Sequence, residues 1–342
     1  MSTASIPNRK NFLLGLLLIS LSIVALYRVY TLNKQPGNYR GNDIYHIWSD
    51  GYEIAHGVNP YSKIHGSDML KNNKYSTYLP GFFLLVSTYV SLGYETFDEW
   101  LKFWRPLSFL IHCSLGLLIF CALFYKSGLV MGLFGANFWL LSRWPISVMN
   151  SGQIDLLTIM IVLLALLVLP HKRRLALVIF GASLSIKQIG IFMLPVFLLY
   201  CADLKAPWRE TLRTGIYNLM AIALIPFLTS LPFLIWDAKG LLMSILFSAT
   251  RSPGGHIKVP SIDEILGYVG LVAKIPMLTM LVLLYLAVMF RKIGLFSASL
   301  AVYLVFMSFN SVIFKQYMPW FCAFVGLALS EIKMSNSETH KK

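Results

Sequence analysis

The sequence predicts an all-α polytopic membrane protein: one bundle of about ten transmembrane helices with interfacial helices in its first outer loop. Three observations predict it. First, 57% of the 342 residues are hydrophobic and only 13% are charged. Second, the apolar residues fall in repeated runs of near-spanning or spanning length without period-2 alternation. Backbone groups in lipid must be satisfied within their own segment, so such runs form helices rather than barrel strands. Third, the basic residues gather in short loops between the runs and at the two tails, where cytoplasmic loops carry them. That placement accounts for the formal charge of +14 without nucleic acid, and membrane lipids are the expected surroundings.

The first run follows Arg9 and Lys10 and extends from Phe12 through Leu32 with no small-residue cleavage pattern. It predicts a retained signal anchor with its N-terminus in the cytoplasm. Later runs lie near 78–94, 106–125, 128–144, 154–170, 175–186, 189–202, 215–236, 269–290, 294–310 and 317–332. If all cross, His171, Lys172, Arg173 and Arg174 fall outside, against the charge rule. Removing 78–94 as a crossing, a short run with Pro80, Gly81 and Gly93, returns every basic loop to the cytoplasm. The expected organisation is a tail over 1–11, a single membrane domain over 12–332 and a tail over 333–342. Its outer loops include 32–105, 145–153, the turn near Lys187, and 237–268. Cys113, Cys121, Cys201 and Cys322 have no metal or disulfide spacing and are expected as buried small hydrophobes. Trp48, Trp100, Trp104, Trp144, Trp236 and Trp320 are expected as interface anchors.

The unusual polar residues lie in the outer segments. Residues 41–61 read GNDIYHIWSDGYEIAHGVNPY. A helix over 43–55 would put Ile44, Ile47, Trp48, Ile54 and Ala55 on one side and Asp43 and Asp50 on the other, roughly 10 Å apart along the axis. Gly57, Asn59 and Pro60 would end it in a turn. His46, one turn after Asp43, reads as an interfacial histidine, a hydrogen-bond partner or one ligand of a divalent metal, though two ligands are too few to predict a cofactor. Lys187 sits within an apolar run, so it either snorkels at a short turn or faces a polar cavity, where it would meet a phosphate. Gln153 follows Gly152 and would bond sugar hydroxyls or a neighbouring helix. Arg251 and His256 flank SPGG, and Lys315 precedes Gln316 and Tyr317; these would add cations and polar groups on the same face.

The acid early in the first outer loop, with GVNPY and then YLPGFFLL after it, resembles the opening of membrane glycosyltransferases of the GT-C fold, most closely glycosyltransferase family 87. SVMNSGQIDLLTIMIVLLALL is similar to that family's Gly-Gln motif, GASLSIKQIGIFMLPVFLL to its lysine and proline-containing helix, and VIFKQYMPWF to the Gln-Tyr and Trp pattern of GT-C enzymes. Asp155 departs from the pattern, standing where these proteins often have Asn. The resemblance covers about 40 to 325. It implies an inverting transfer of mannose or a pentose from a polyprenyl-phosphate-sugar donor to a glycan or glycolipid acceptor at the outer face of the cytoplasmic membrane. Asp43 would be the general base. Asp50, His46, Gln153, Lys187, Arg251, His256, Lys315, Gln316 and Tyr317 would contribute to substrate binding, and no cofactor is expected. A second reading is a transporter or flippase of lipid-linked sugars, which inverted repeats would favour.

Overall fold

The computed structural model describes residues 9–34, 39, 43–66, 75–250, 261–268, 272–310 and 314–339. Every regular element among them is helical: α1 (Arg9–Lys34), α2 (Asp43–Ala55), α3 (Gly81–Ser91), α4 (Phe97–Ser127), α5 (Leu129–Leu141), α6 (Arg143–Asn150), α7 (Asp155–Val168), α8 (Arg173–Ile186), α9 (Leu194–Cys201), α10 (Trp208–Thr250), α11 (Ile262–Ile265), α12 (Ile275–Met289), α13 (Leu295–Phe309) and α14 (Met318–Thr339). Short 3₁₀ turns occupy Pro60–Ile64, Gln188–Met193, Val272–Lys274 and Lys315–Tyr317. Four segments, Phe12–Lys34, Phe97–Ser127, Trp208–Phe247 and Val272–Met289, are long and apolar enough to cross a membrane, and five shorter apolar helices accompany them. The chain is a helical polytopic membrane protein.

Burial divides the helices into two layers. α7 lies at the centre, with Leu156, Ile159, Val162, Leu163 and Leu166 almost wholly enclosed by side chains of its neighbours. α1, α10 and α12 leave most of their apolar side chains exposed, among them Leu17, Ile23, Leu228, Ile235, Leu278 and Leu283. Against lipid tails that exposure carries no hydrophobic cost, which is why these helices need little packing of their own.

The helix boundaries correct several expectations. α4 starts at Phe97, well before the apolar run at 106, because Thr96 and Glu99 form a capping box. That box satisfies otherwise orphaned N–H groups and draws part of the outer loop into the helix. α10 likewise continues to Thr250, past the expected end of its run at 236. It does so across a break at Asp237 (φ −159°, ψ 79°), whose side chain accepts a hydrogen bond from the Gly240 N–H at 2.9 Å and restarts the helix. α3 has 11 residues, or about 16 Å of helix against a hydrocarbon core of about 30 Å. It packs on α2 so closely that a Cβ on Gly51 would lie 2.5 Å from Val86 Cβ.

Two groups of side chains also differ from expectation. Trp100, Trp104 and Trp320 are core residues, 1% exposed or less, rather than interface anchors. Trp100 and Trp104 stack on each other at 5.7 Å, and Trp104 donates to the Gly152 carbonyl at 2.7 Å. Of the cysteines, Cys201 and Cys322 are buried, Cys113 is half-buried and Cys121 is exposed.

α7 and α8 are neighbours joined by the short segment carrying His171 and Lys172. At that end Arg173 donates to the Cys201 carbonyl, and Arg291 donates to the carbonyls of Tyr200 and Ala202. Basic residues from two separate loops thereby meet the C-terminal end of α9 at one end of the bundle. The start of α7 at Asp155 and the end of α8 near Lys187 form the opposite end.

Candidate active site

A cavity of about 760 Å³ opens at this second end. α2 begins at Asp43, where a carboxylate complements the partial positive charge of the helix N-terminus. Asp43, His46, Ile47 and Asp50 all line the cavity, following the i, i+3, i+4, i+7 spacing of one helix face. Asp50 is therefore not on a solvated face opposite Ile47. It is buried together with Ile44, Ile47 and Gly51.

Asp50 carries a buried charge that has to be met. Lys63 Nζ lies 3.1 Å from Asp50 and 2.7 Å from Glu53, tying the Pro60–Ile64 turn to α2. Burial pushes the Asp50 carboxyl up to about 6, with Lys63 and Ser76 opposing the rise. For Lys63, burial acts to lower the pKa, but Asp50 and Glu53 outweigh it and the net shift is upward. Asn59 accepts from the Tyr61 N–H at 3.0 Å to start this turn, and Tyr61 donates to the Tyr78 carbonyl at 2.7 Å.

The next wall is built from an ion pair. Gly152 adopts a positive φ of 67°, which turns the chain between α6 and α7 and lets α7 begin at Asp155. On the neighbouring strand of backbone α8 ends at Ile186, and Lys187 is extended. The two side chains meet at 2.7 Å, both essentially inaccessible to solvent. Trp320 Nε1 donates to the other Asp155 oxygen at 2.9 Å. Lys187 Nζ also lies 5.2 Å from the Tyr78 ring and 5.6 Å from the Tyr317 ring. Two aromatic rings and one oxygen of a carboxylate, whose other oxygen Trp320 holds, thus lie about the ammonium.

The segment before α14 connects both acids. Gln316 Nε2 donates to Asp43 Oδ2 at 3.2 Å, while Trp320, one turn later, holds Asp155. Gln316, Tyr317 and Lys187 line the cavity with Asp43. Gln188 lines it too, and its amide donates to the Thr77 carbonyl. Much of the remaining wall is apolar, from Ile189, Ile191 and Phe192 and from Ile245, Leu246, Phe247, Met277, Leu278 and Phe306 of α10, α12 and α13, with Ser76, Thr77, Lys274 and Asn310 adding polar groups.

Asp43, His46, Asp50, Lys187, Gln316 and Tyr317 are brought together, then, from three separate stretches of sequence. Gln153 is not part of the cavity wall. It sits in the Gly152 turn, which packs beside Trp104 and Ile44. Lys315 is exposed and also outside the wall. Arg251 and His256 lie outside the described residues. No three His, Cys, Asp or Glu groups with metal-holding geometry come together among the described residues.

Sequence reasoning missed Asp155 and Trp320 as parts of the site. A signal for the first was present: an acid and a lysine each placed in an apolar run are costly alone and tolerable together.

Residues 260–340 match the family model described as Mannosyltransferase (PIG-M), a different family from the one the motifs resemble. GPI mannosyltransferase 1 of Candida albicans is 24% identical over 227 residues, covering 59% of this chain and 56% of that protein. The chain thus spans little more than half the length of this curated relative. No solved structure matches.

Proposed function

We propose that this chain is a membrane glycosyltransferase that moves a sugar, mannose by preference, from a polyprenyl-phosphate donor to a hydroxyl of a glycan or glycolipid. The observation that carries the reading is the Gln316–Asp43 hydrogen bond at the wall of a mainly apolar cavity that also holds charged and polar side chains. The C-terminal match to a mannosyltransferase model includes Gln316, so the matched segment supplies the group that orients the acid.

In this reading the acceptor oxygen attacks the anomeric carbon from the face opposite the phosphate. The new C–O bond forms as the bond to the phosphate oxygen breaks, and that oxygen leaves with the electron pair. The acceptor proton passes to Asp43. One carboxylate suffices, because a phosphate leaving group needs no proton at departure, unlike the alkoxide expelled in glycoside hydrolysis. A single displacement inverts the anomeric centre. The Asp155–Lys187 pair and Trp320 fix the wall against which the sugar and phosphate sit. The basic end of the bundle faces the cytoplasm by the positive-inside rule, so the cavity faces the extracytoplasmic side.

The test is a glycolipid profile of cells lacking the chain. The reading expects a truncated product one sugar short, restored by the wild-type gene. An unchanged profile, with membranes that transfer no sugar from polyprenyl-phosphate mannose, would contradict it.

A further inference from the structure

We propose that Lys274 is the cation that meets the donor's phosphate, and that the donor's isoprenoid chain enters sideways between α10 and α12 past Leu246, Leu278 and Ile191. The assignment rests on the lipid-phosphate reading above and narrows it to particular residues.

Three lysines stand at or beside the cavity, and their surroundings differ. Lys187 is matched by Asp155 at 2.7 Å, and Lys63 is held between Asp50 and Glu53. Each of these charges is already compensated by the protein. Lys274 lines the same cavity, half-buried at the junction of the Val272–Lys274 turn and α12, and no carboxylate pairs with it among the described residues. A partly desolvated ammonium that no described carboxylate neutralises is poised for an anion brought by a ligand.

The walls near Lys274 state what the anion is attached to. Met277 and Leu278 follow it by one turn on α12, and Ile245, Leu246 and Phe247 face them from the end of α10. Ile191, Leu246 and Leu278 line the cavity and are also 45%, 61% and 53% exposed on the outside of the bundle. In helices of this kind that outside is lipid. The cavity lining therefore reaches apolar side chains that are also exposed on the outside of the bundle, and the same lining holds Lys274 and Asp43. An amphiphile with a long hydrocarbon chain, a phosphate and a polar head fits this set of surfaces. During transfer the charge on the phosphate grows, so the same ammonium would bind the departing group more tightly than the donor.

Full-length protein in nanodiscs would be titrated with farnesyl phosphate, farnesol and inorganic phosphate. Wild-type protein should bind farnesyl phosphate about tenfold or more tightly than farnesol, as expected of one charge-assisted contact. Inorganic phosphate should be a far weaker competitor. Lys274→Ala should remove the preference for the phosphate while leaving farnesol binding and Tm unchanged, and Lys274→Arg should keep much of it. Leu278→Trp should weaken farnesyl phosphate without altering dimethylallyl phosphate. The assignment is overturned by a preference that survives Lys274→Ala, by inorganic phosphate competing as well as the lipid, or by equal loss of farnesol and farnesyl phosphate. Binding needs no turnover, which separates this outcome from failure of the enzymatic reading. A chain that binds as described but transfers no sugar keeps the Lys274 assignment and loses the function. A chain whose Lys274→Ala form transfers from limiting lipid donor at the wild-type rate does the reverse.

Discussion

Asp155 and Lys187 form a 2.7 Å ion pair at the adjoining ends of α7 and α8, with 0% and 3% of their side-chain surface exposed. The pair sits 32 residues apart in sequence and holds one wall of the cavity. Removing one partner leaves a buried charge without its counterpart, which costs about 3–5 kcal/mol. Asp155→Leu and Lys187→Met should each lower Tm sharply in detergent. The double variant Asp155→Leu/Lys187→Met should recover most of the loss, since an apolar pair of similar volume leaves no buried charge. Additive losses in that double-mutant comparison would mean that the two residues act independently.

Glu331 makes a separate contribution at the basic end. Its carboxylate accepts from the N–H groups of Phe296 and Ser297 at 3.1 and 2.9 Å and from Ser297 Oγ at 2.8 Å. An acid of α14 therefore caps α13. Glu331→Ala should cost about 1–2 kcal/mol by the usual worth of a cap. Glu331→Gln should cost less, because it keeps an acceptor. The sugar-transfer rate per folded molecule should be unchanged in both, and a selective loss of rate at full Tm would argue that this end of the bundle is part of the chemistry.

Asp50 makes stability depend on pH in a direction opposite to that of a carboxylate whose pKa is lowered by folding. Its folded-state pKa of about 6 lies above the ordinary 3.8 because the group is buried. Between those values the folded form holds the extra proton, so the stabilisation is complete below about pH 4 and is lost as pH rises through about 6. Asp50→Asn should flatten this part of the stability profile, by an amount on the order of 2 kcal/mol. Denaturation midpoints at pH 4.5 and 7.5 would show it, and an unchanged slope in the variant would remove Asp50 as its source.

Much of this architecture was legible from the sequence where a single physical constraint dominated. Long apolar runs could only be membrane helices, and Asp43–Ala55 carried the helix periodicity that α2 adopts. The side to which α2 turns its acids was not legible. An amphipathic pattern shows that Asp43 and Asp50 share a face, but the Lys63 turn that makes burial tolerable is set by tertiary packing. Asp155 and Lys187 were each visible as anomalies, while their contact depends on how α7 and α8 pair. Trp320 looked like an anchor for the same reason: a tryptophan near a helix end satisfies the belt pattern whether its N–H faces headgroups or, as here, a buried carboxylate.

Gln316 provides the sharpest contrast between orientation and chemistry. Its amide holds Asp43 Oδ2 at 3.2 Å, so Gln316→Ala should slow transfer by about tenfold while Km for the lipid donor changes little. Gln316→Glu should be worse, because a second carboxylate beside Asp43 raises the cost of ionising either one. A change confined to Km would make Gln316 a binding residue instead.

The most direct test of the account compares Asp43→Asn with Asp50→Asn in membranes supplied with polyprenyl-phosphate mannose and an acceptor extract. Folded protein would be checked by gel filtration in detergent. Asparagine keeps the size of Asp43 and a group for Gln316 to contact but cannot take the acceptor proton. Asp43→Asn should therefore lose about 10²- to 10⁴-fold in rate, the range a positioned general base supplies, with Asp50→Asn within about tenfold of wild type. A dead Asp50→Asn beside an active Asp43→Asn would move the base two helical turns along α2, and full activity in both would contradict the transferase reading itself.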